Sequence, residues 1–447
     1  MSDKIGWLVS TLTPLSEKKQ RHFYMLIGLF VAAQLMKLFF LAPEPETFGD
    51  AAIKWSLAKN FFADGSLEMF SSLDYVSHHY LRWASWLFAS GFVWAFGDSI
   101  VVYYLSTFLP ATLAAVIFLS LCFRHIGIIA VFFLALFWFF DPQLNRALFQ
   151  LLPTGAGLLP LALMCLSISR FADGKLLERS LVLWLSVCIF WLYGAKETNI
   201  FFAPGVFAVV WIFAGRRHAF NFVAICLFLY FVEAVTLSFL QGQAMVRGRL
   251  FELLSDNSRH LQAMLTSSRL IEEQEALWDA GILSRWYTVN LVHVPINLLS
   301  ILTFIIVVIS GLRVPPGDIT ARVAFAIALI GLSFVVMTSF FIVSLDPVRL
   351  GQPIRERYIA ILLPLSTFIL FYAVQQLYLQ HIFRRFGVYI LVVALLFALG
   401  HLSHNREYRD AFLYKARVVL TFDYRTRNTL ASWIIHFKHL ETNLPDR

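Results

Sequence analysis

The chain has 447 residues, of which 59% are hydrophobic, 16% aromatic and only 14% charged. Soluble domains carry about 25% charged residues, so this composition excludes an ordinary soluble protein and predicts one that crosses a membrane many times. The formal net charge is +8, but no basic run is typical of a nucleic-acid-binding arm, so we expect no nucleic-acid partner and interpret the basic excess as facing the phosphates of membrane lipids.

The four cysteines all lie in apolar stretches, at Cys122, Cys165, Cys188 and Cys226. Their spacing is typical neither of a disulfide framework nor of a Cys/His metal site. We therefore expect small buried apolar residues at these positions.

The N-terminal region, residues 1–22, holds four basic residues ahead of the first apolar run. No small-residue cleavage site follows that run, which argues against a cleavable signal. The basic residues themselves predict a cytoplasmic N-terminus. The first span, 23–41, carries Lys37 near its outer end, where a lysine can snorkel to the interface. Residues 50–62 then combine apolar side chains with Lys54 and Lys59, and predict a short helix lying on the membrane surface.

The apolar segment 81–96 is short, so its length leaves open whether it crosses the membrane. If it crossed, the short basic loops that follow would all flip outward, against the positive-inside rule. We therefore interpret it as a surface-docked helix and predict about eleven membrane spans besides it. The predicted spans are 23–41, 101–123, 126–140, 152–169, 181–192, 201–214, 219–240, 293–312, 323–344, 359–379 and 388–399.

The predicted fold class is thus an all-α, polytopic transmembrane helical bundle with surface helices on its outer side. Its transmembrane domain covers residues 23–400, with outer loops at 42–100, 241–292 and 345–358. The basic tail, 401–447, shows helical apolar spacing and is expected on the outer face.

Ionisable residues collect on the outer side of this topology, the periplasmic side of a bacterial inner membrane. They occupy 42–80, Arg146, Lys196 and Glu197, 242–292 and 349–358. Nucleotide sugars and ATP are not available there, so an enzyme on that side needs an activated donor that arrives through the membrane. A polyprenyl-phosphate-linked sugar fits, because its tail needs a lipid-facing groove and its phosphate needs fixed cations.

Asp50 is the candidate general base for an attacking hydroxyl. It lies where a span leaves the membrane, and nearby His and Arg residues would keep it ionised. The alternative is that Asp50 caps the surface helix that starts there.

Five cations are candidates for binding the donor phosphate. His78, His79 and Arg82 fall in the first outer loop, and Arg355 and Arg357 can hold a phosphate with paired hydrogen bonds. The alternatives are ordinary interfacial histidines and arginines that anchor lipid headgroups.

Lys196 and Glu197 interrupt an apolar stretch between two short spans, and a polar pair at a membrane edge predicts a functional site. The alternative is an ion pair that satisfies itself at a turn. Glu233, inside the span before the long outer loop, is either a second carboxylate of the site or the partner of a basic loop residue.

Four motifs follow one another in a recognisable order. They are Phe48-Gly49-Asp50, His78-His79-Tyr80-Leu81-Arg82 with Phe96-Gly97, Gly194-Ala195-Lys196-Glu197, and Arg355-Glu356-Arg357-Tyr358 ahead of Pro364. The set resembles the GT-C superfamily of integral membrane glycosyltransferases, in particular the family-39-like branch of protein O-mannosyltransferases and lipid A aminoarabinose transferases. The order and topology match over about residues 20–400.

The resemblance implies an inverting transfer from a polyprenyl-phosphate-linked sugar to a glycan, lipid A or lipopolysaccharide, or protein acceptor. Asp50 would be the catalytic residue. The donor phosphate and sugar would be bound by His78, His79, Arg82, Lys196, Glu197, Arg355, Arg357 and Tyr358.

We expect no cofactor and no metal, because one phosphate leaves, several cations are available, and the sequence has no oxygen-rich carboxylate cluster. A lipid-linked glycan transporter or flippase is an alternative, although transporters place ionisable residues near the middle of the bilayer. A polymerase or ligase of the O-antigen kind is another, and it would depend on Arg247, Arg249 and Arg349.

Overall fold

The computed structural model describes residues 17–41, 50–64, 79–241, 295–312, 318–340, 342–345, 348–350 and 360–379. Several predictions lie outside these residues. They concern His78, Arg247, Arg249, Arg355, Arg357, Tyr358, the span 388–399 and the tail 401–447.

The described residues are almost entirely helical. The α-helices are α1 (Glu17–Leu41), α2 (Asp50–Asp64), α3 (Trp83–Phe96), α4 (Ile100–His125), α5 (Ile128–Phe140), α6 (Pro142–Phe149), α7 (Pro153–Ala172), α8 (Glu178–Ala195), α9 (Ala203–Ala214), α10 (Arg216–Gln241), α11 (Pro295–Gly311), α12 (Ile319–Phe340) and α13 (Leu363–Leu379). Two 3₁₀ segments, Glu197–Phe202 and Ala360–Leu362, lead into α9 and α13.

Six helical segments among the described residues are long and apolar enough to cross a membrane. They are Ile100–His125, Pro153–Ala172, Glu178–Ala195, Glu197–Ala214, Arg216–Leu240 and Ile319–Ser339. These segments identify a helical membrane protein. They do not reach the predicted eleven, in part because the predicted span 126–140 forms a helix of only 13 residues, shorter than the roughly 20 residues that a bilayer requires.

A short antiparallel pair of strands replaces the end of the predicted span 323–344. Helix α12 ends at Phe340, and β1 (Ile342–Leu345) pairs with β2 (Val348–Leu350). The predicted span was too long at this point because Ile342 and Val343 are as apolar as the helix before them, and hydropathy does not separate strand from helix.

The two ends of the bundle differ in chemistry. At the basic end, where α4 and α7 finish, Arg124 pairs with Asp173, and the Nε2 atom of His125 lies 2.8 Å from the hydroxyl of Ser169. The aromatic ring of Phe23 stacks there on Phe123, so α1 begins at this end. We call the opposite end, where α4 and α7 begin, the site end.

A separate hydrophobic cluster at the site end joins α2 and α3 to the first turns of α4. Trp55 meets Tyr103 edge-on with ring centroids 5.1 Å apart. Lys54 and Leu57 have no exposed surface. Helices α3 and α4 therefore cover this part of α2, and its place at the membrane surface stays a prediction.

Lys37 does not snorkel as predicted. Its side chain is 1% exposed, and its ammonium donates to the carbonyl of Phe139 and to the amide oxygen of Asn145. Polar groups at the α5–α6 junction are close enough to bond the lysine inside the protein, so it need not extend to the interface. This contact ties α1 to the site end.

Candidate functional site

Asp50 is the first residue of α2, and its side chain is 38% exposed. The N-terminus of a helix carries partial positive charge and favours the ionised carboxylate. The Oδ1 atom of Asp50 lies 3.7 Å from Nε2 of His79, whose side chain is only 3% exposed. The carboxylate thus faces solvent on one side and a buried imidazole on the other.

The turn between His79 and Arg82 places Arg82 next to His79 in the structure. The backbone N–H of Arg82 donates to the carbonyl of His79 at 3.1 Å, and the indole of Trp86 donates to the carbonyl of Tyr80 at 3.1 Å. These bonds fix the turn against α3. Asp50 and His79 are therefore in side-chain contact, and Arg82 ends the turn that holds His79 in place.

Arg82 is paired with Glu197. The Nε atom of Arg82 lies 3.2 Å from each carboxylate oxygen of Glu197, and both side chains are 12% exposed. The two Nη groups donate no hydrogen bond to any residue that the structure describes. Glu197 thus holds the guanidinium through its Nε atom.

Helix α8 ends one residue before Lys196, whose backbone is extended, with φ −158° and ψ 136°. The chain then turns through the 3₁₀ segment Glu197–Phe202. This sharp change of direction aims Glu197 at α3. Glu197 therefore makes an ion pair outside its own turn, with Arg82 of the turn before α3.

An apolar groove of about 660 Å³ begins beside Arg82. Its walls are seven residues of α3, three of α8 and Leu229 of α10, all of them apolar or aromatic. Trp83, the residue after Arg82, forms part of the wall. Leu87 and Phe96 in the same wall are exposed, so the groove is open to the surroundings of the bundle.

Trp83 and Glu233 form a contact that we did not predict from the sequence. The indole Nε1 of Trp83 donates to Glu233 at 2.5 Å, which links α3 to α10 across the groove. Glu233 is 6% exposed, although α10 is otherwise one of the more exposed helices. A lone acidic residue in an apolar span signalled a buried partner, but nothing in the sequence identified that partner as an indole.

Gly194 permits the close contact between α3 and α8. A β-carbon at this position would lie 2.3 Å from a ring carbon of Trp83. Trp83 in turn packs on Phe190 with ring centroids 5.0 Å apart. The glycine of the motif Gly194-Ala195-Lys196-Glu197 thus seats the tryptophan next to the site.

The structure pairs Asp50 with His79 and Arg82 with Glu197, and the turn from His79 to Arg82 connects the two pairs. Among the residues described, no group of three His, Cys, Asp or Glu side chains is placed to hold a metal ion. No known protein-family model matches the chain, and no curated protein matches it.

Proposed function

We propose that the protein is an inverting membrane glycosyltransferase that takes a sugar from a polyprenyl-phosphate-linked donor. The observation that carries the proposal is the adjacency of two unlike features. Trp83 lines the apolar groove, and the residue before it, Arg82, pairs with Glu197 and ends the turn that holds His79 beside Asp50. A donor with a long apolar tail and a charged head requires this combination.

The groove supports the assignment of the lipid tail. Its volume of about 660 Å³ lies within the range of about 300–1,000 Å³ that small-ligand sites occupy. Its lining is apolar, so it suits several isoprene units better than a sugar or a peptide. A tail in the groove would bring its phosphate to the Trp83 end.

Arg82 supports the assignment of the phosphate. Glu197 is bonded through Nε, and the two Nη groups would donate to a phosphate in a paired arrangement. Negative charge grows on the phosphate as the sugar leaves, and a cation held in place stabilises that charge. Glu197 holds the guanidinium, which limits the reorganisation needed during the reaction.

Asp50 is the proposed general base. The acceptor hydroxyl would lose its proton to the carboxylate as its oxygen bonds to the anomeric carbon. The bond from that carbon to the phosphate oxygen would break, and polyprenyl phosphate would leave with the bonding electrons. Attack opposite the leaving group inverts the anomeric configuration, and His79 would steady the carboxylate at 3.7 Å.

The test is transfer by purified protein in proteoliposomes supplied with a panel of undecaprenyl-phosphate-linked sugars. We expect Asp50→Asn to lose at least about 100-fold in transfer, as removal of a general base does, with binding of undecaprenyl phosphate retained. Asp98→Asn is the matched control, because Asp98 is a 40% exposed carboxylate that pairs with Lys59 at 3.2 Å. Transfer by Asp50→Asn at the wild-type rate would contradict the proposal.

The groove equally suits a protein that moves a lipid-linked glycan across the membrane. Such a flippase would bind undecaprenyl phosphate but form no glycosidic bond with any donor of the panel. Movement of a fluorescent lipid-linked sugar between leaflets, without transfer, would favour this second function.

A further inference from the structure

A second, smaller cavity lies beneath α3. It is enclosed by α3, α4, the α6–α7 junction and α8, and it shares Ala84, Phe88 and Trp191 with the wall of the apolar groove. Its volume is about 20 Å³. A cavity needs about 10–15 Å³ to hold one water molecule, so this one is too small for a sugar ring and large enough for one water.

Ser85 of α3 places a hydroxyl in this cavity. The residue is 2% exposed, and its Oγ has no hydrogen-bond partner among the residues that the structure describes. Several other buried serines bond back to their own helices, as Ser90 does to the carbonyl of Trp86 at 2.9 Å and Ser186 to that of Val182 at 2.8 Å. Burying a hydroxyl without a hydrogen bond costs free energy, so we expect the Ser85 hydroxyl to have a partner in the cavity.

Two prolines remove the helical donor of a backbone carbonyl in residues that line the same cavity. Pro110 lies inside α4 and has no N–H to donate to the carbonyl of Ser106, one turn earlier. Pro160 lies inside α7 and likewise has no N–H for the carbonyl of Ala156. Ser106 and Ala156 both line the cavity. Two adjacent helices therefore each lose one internal hydrogen bond beside one small space.

We propose that the cavity binds a single structural water molecule. The water donates its two hydrogens to the carbonyls of Ser106 and Ala156 and accepts the hydroxyl hydrogen of Ser85. Buried waters make about three such bonds on average. Among the residues that the structure describes, no Asp or Glu lines the cavity. A cation without a countercharge is strongly disfavoured in an apolar interior, which favours water over a metal ion.

The water joins α3 to α4 and α7. Helix α3 begins beside Arg82 and forms most of one groove wall. The water therefore contributes to holding the wall of the groove in position. This role does not depend on the reaction that the protein performs.

The sign of a stability change tests the proposal. We compare Ser85→Ala with Ser90→Ala in full-length protein in detergent, at one scan rate. Ser90 is the matched control, since it is buried in the same helix but already bonded. If water fills the cavity, Ser85→Ala lowers the unfolding midpoint by about 2 °C relative to Ser90→Ala. A midpoint equal to or above that of Ser90→Ala would mean a dry cavity and would overturn the proposal.

Two further measurements keep the result specific. A cryo-EM or crystal map that resolves other buried waters should contain one density peak within hydrogen-bond distance of Ser85 Oγ, and its absence would reject the site. The effect of Ser85→Ala should be the same in choline chloride as in sodium or potassium chloride. An effect confined to one metal salt would identify a cation and refute the water.

Discussion

The guanidinium of Arg82 is held by both carboxylate oxygens of Glu197, each 3.2 Å from its Nε atom. This contact connects the turn before α3 to the turn after α8, the two segments that border the end of the apolar groove. The ion pair is partly shielded from solvent, with each side chain 12% exposed. The ion pair therefore connects the two turns. In the proposed reaction it would also orient Arg82 for the phosphate, and substitutions can separate these two roles.

Arg82→Lys should weaken the binding of lipid phosphate. A lysine can reach Glu197 or a phosphate, but its single ammonium cannot present paired donors to the phosphate while remaining bonded to the carboxylate. Loss of one charged hydrogen bond costs about 1.5–3 kcal/mol, or roughly 10- to 100-fold in the Kd. Native mass spectrometry with undecaprenyl phosphate measures this change.

Arg322→Lys is the control for Arg82→Lys. Arg322 lies over the ring of Phe213 at the basic end, with its guanidinium carbon 4.9 Å from the ring centroid. We expect this variant to bind undecaprenyl phosphate as the wild type does. Equal affinity of Arg82→Lys and Arg322→Lys would remove Arg82 from the phosphate site.

Gly194→Ala should displace Trp83 and destabilise the protein. The added β-carbon would lie 2.3 Å from the indole, and overpacking of this kind costs about 1–3 kcal/mol. Gly91→Ala is the matched control, because Gly91 is in α3 and a β-carbon there meets nothing within 4 Å. Thermal unfolding should show a lower midpoint for Gly194→Ala alone; equal midpoints would mean that Trp83 has room to move.

Much of the scaffold was predictable, because apolar run length and basic loops are strong signals in a membrane protein. They indicated correctly that Arg82 and Glu197 fall at the same end of the bundle. They could not indicate that Glu197 bonds Arg82, since this depends on the direction of the chain at Lys196. The same limit applies to Trp83 and Glu233, which lie far apart in sequence.

The failed prediction at Lys37 has an identifiable cause. This lysine was predicted to reach the interface, because an isolated lysine in an apolar stretch is costly to bury. Lys37 is buried because Asn145 and the carbonyl of Phe139 receive its ammonium. Such compensation comes from residues distant in the chain, so local hydropathy does not reveal it.

Lys37→Met should lower stability without altering lipid binding. The substitution keeps an unbranched chain of similar length but leaves the amide oxygen of Asn145 without its lysine donor. Loss of a buried charged hydrogen-bonding group costs about 1–3 kcal/mol. Lys59→Met, at a lysine whose side chain is 22% exposed, should cost less than about 1 kcal/mol. A smaller loss for Lys37→Met than for Lys59→Met would contradict the structural role of Lys37.

Transfer should survive chelation of divalent metals. In the proposed reaction one phosphate leaves, and Arg82 supplies a fixed positive charge beside it, so charge stabilisation does not require a divalent ion. The measurement is transfer after dialysis against EDTA, compared with an untreated sample. Complete loss that manganese or magnesium restores would show that a metal takes part and would revise the role of Arg82.

The Trp83–Glu233 hydrogen bond should appear as an energetic coupling between α3 and α10. Glu233→Leu alone leaves the indole N–H of Trp83 without this acceptor, and Trp83→Phe alone leaves a buried carboxylate without this donor. The free-energy losses of the two single substitutions should therefore add up to more than the loss measured for the double substitution. We expect a coupling energy of about 1–3 kcal/mol from the double-mutant cycle.

The control is Glu233→Gln, which should retain most of the stability, because its amide oxygen can still accept the hydrogen bond from the indole. Additive single effects would mean that the 2.5 Å contact does not hold α3 against α10, and the end of the groove would then be positioned by packing on Phe190 and Gly194 alone.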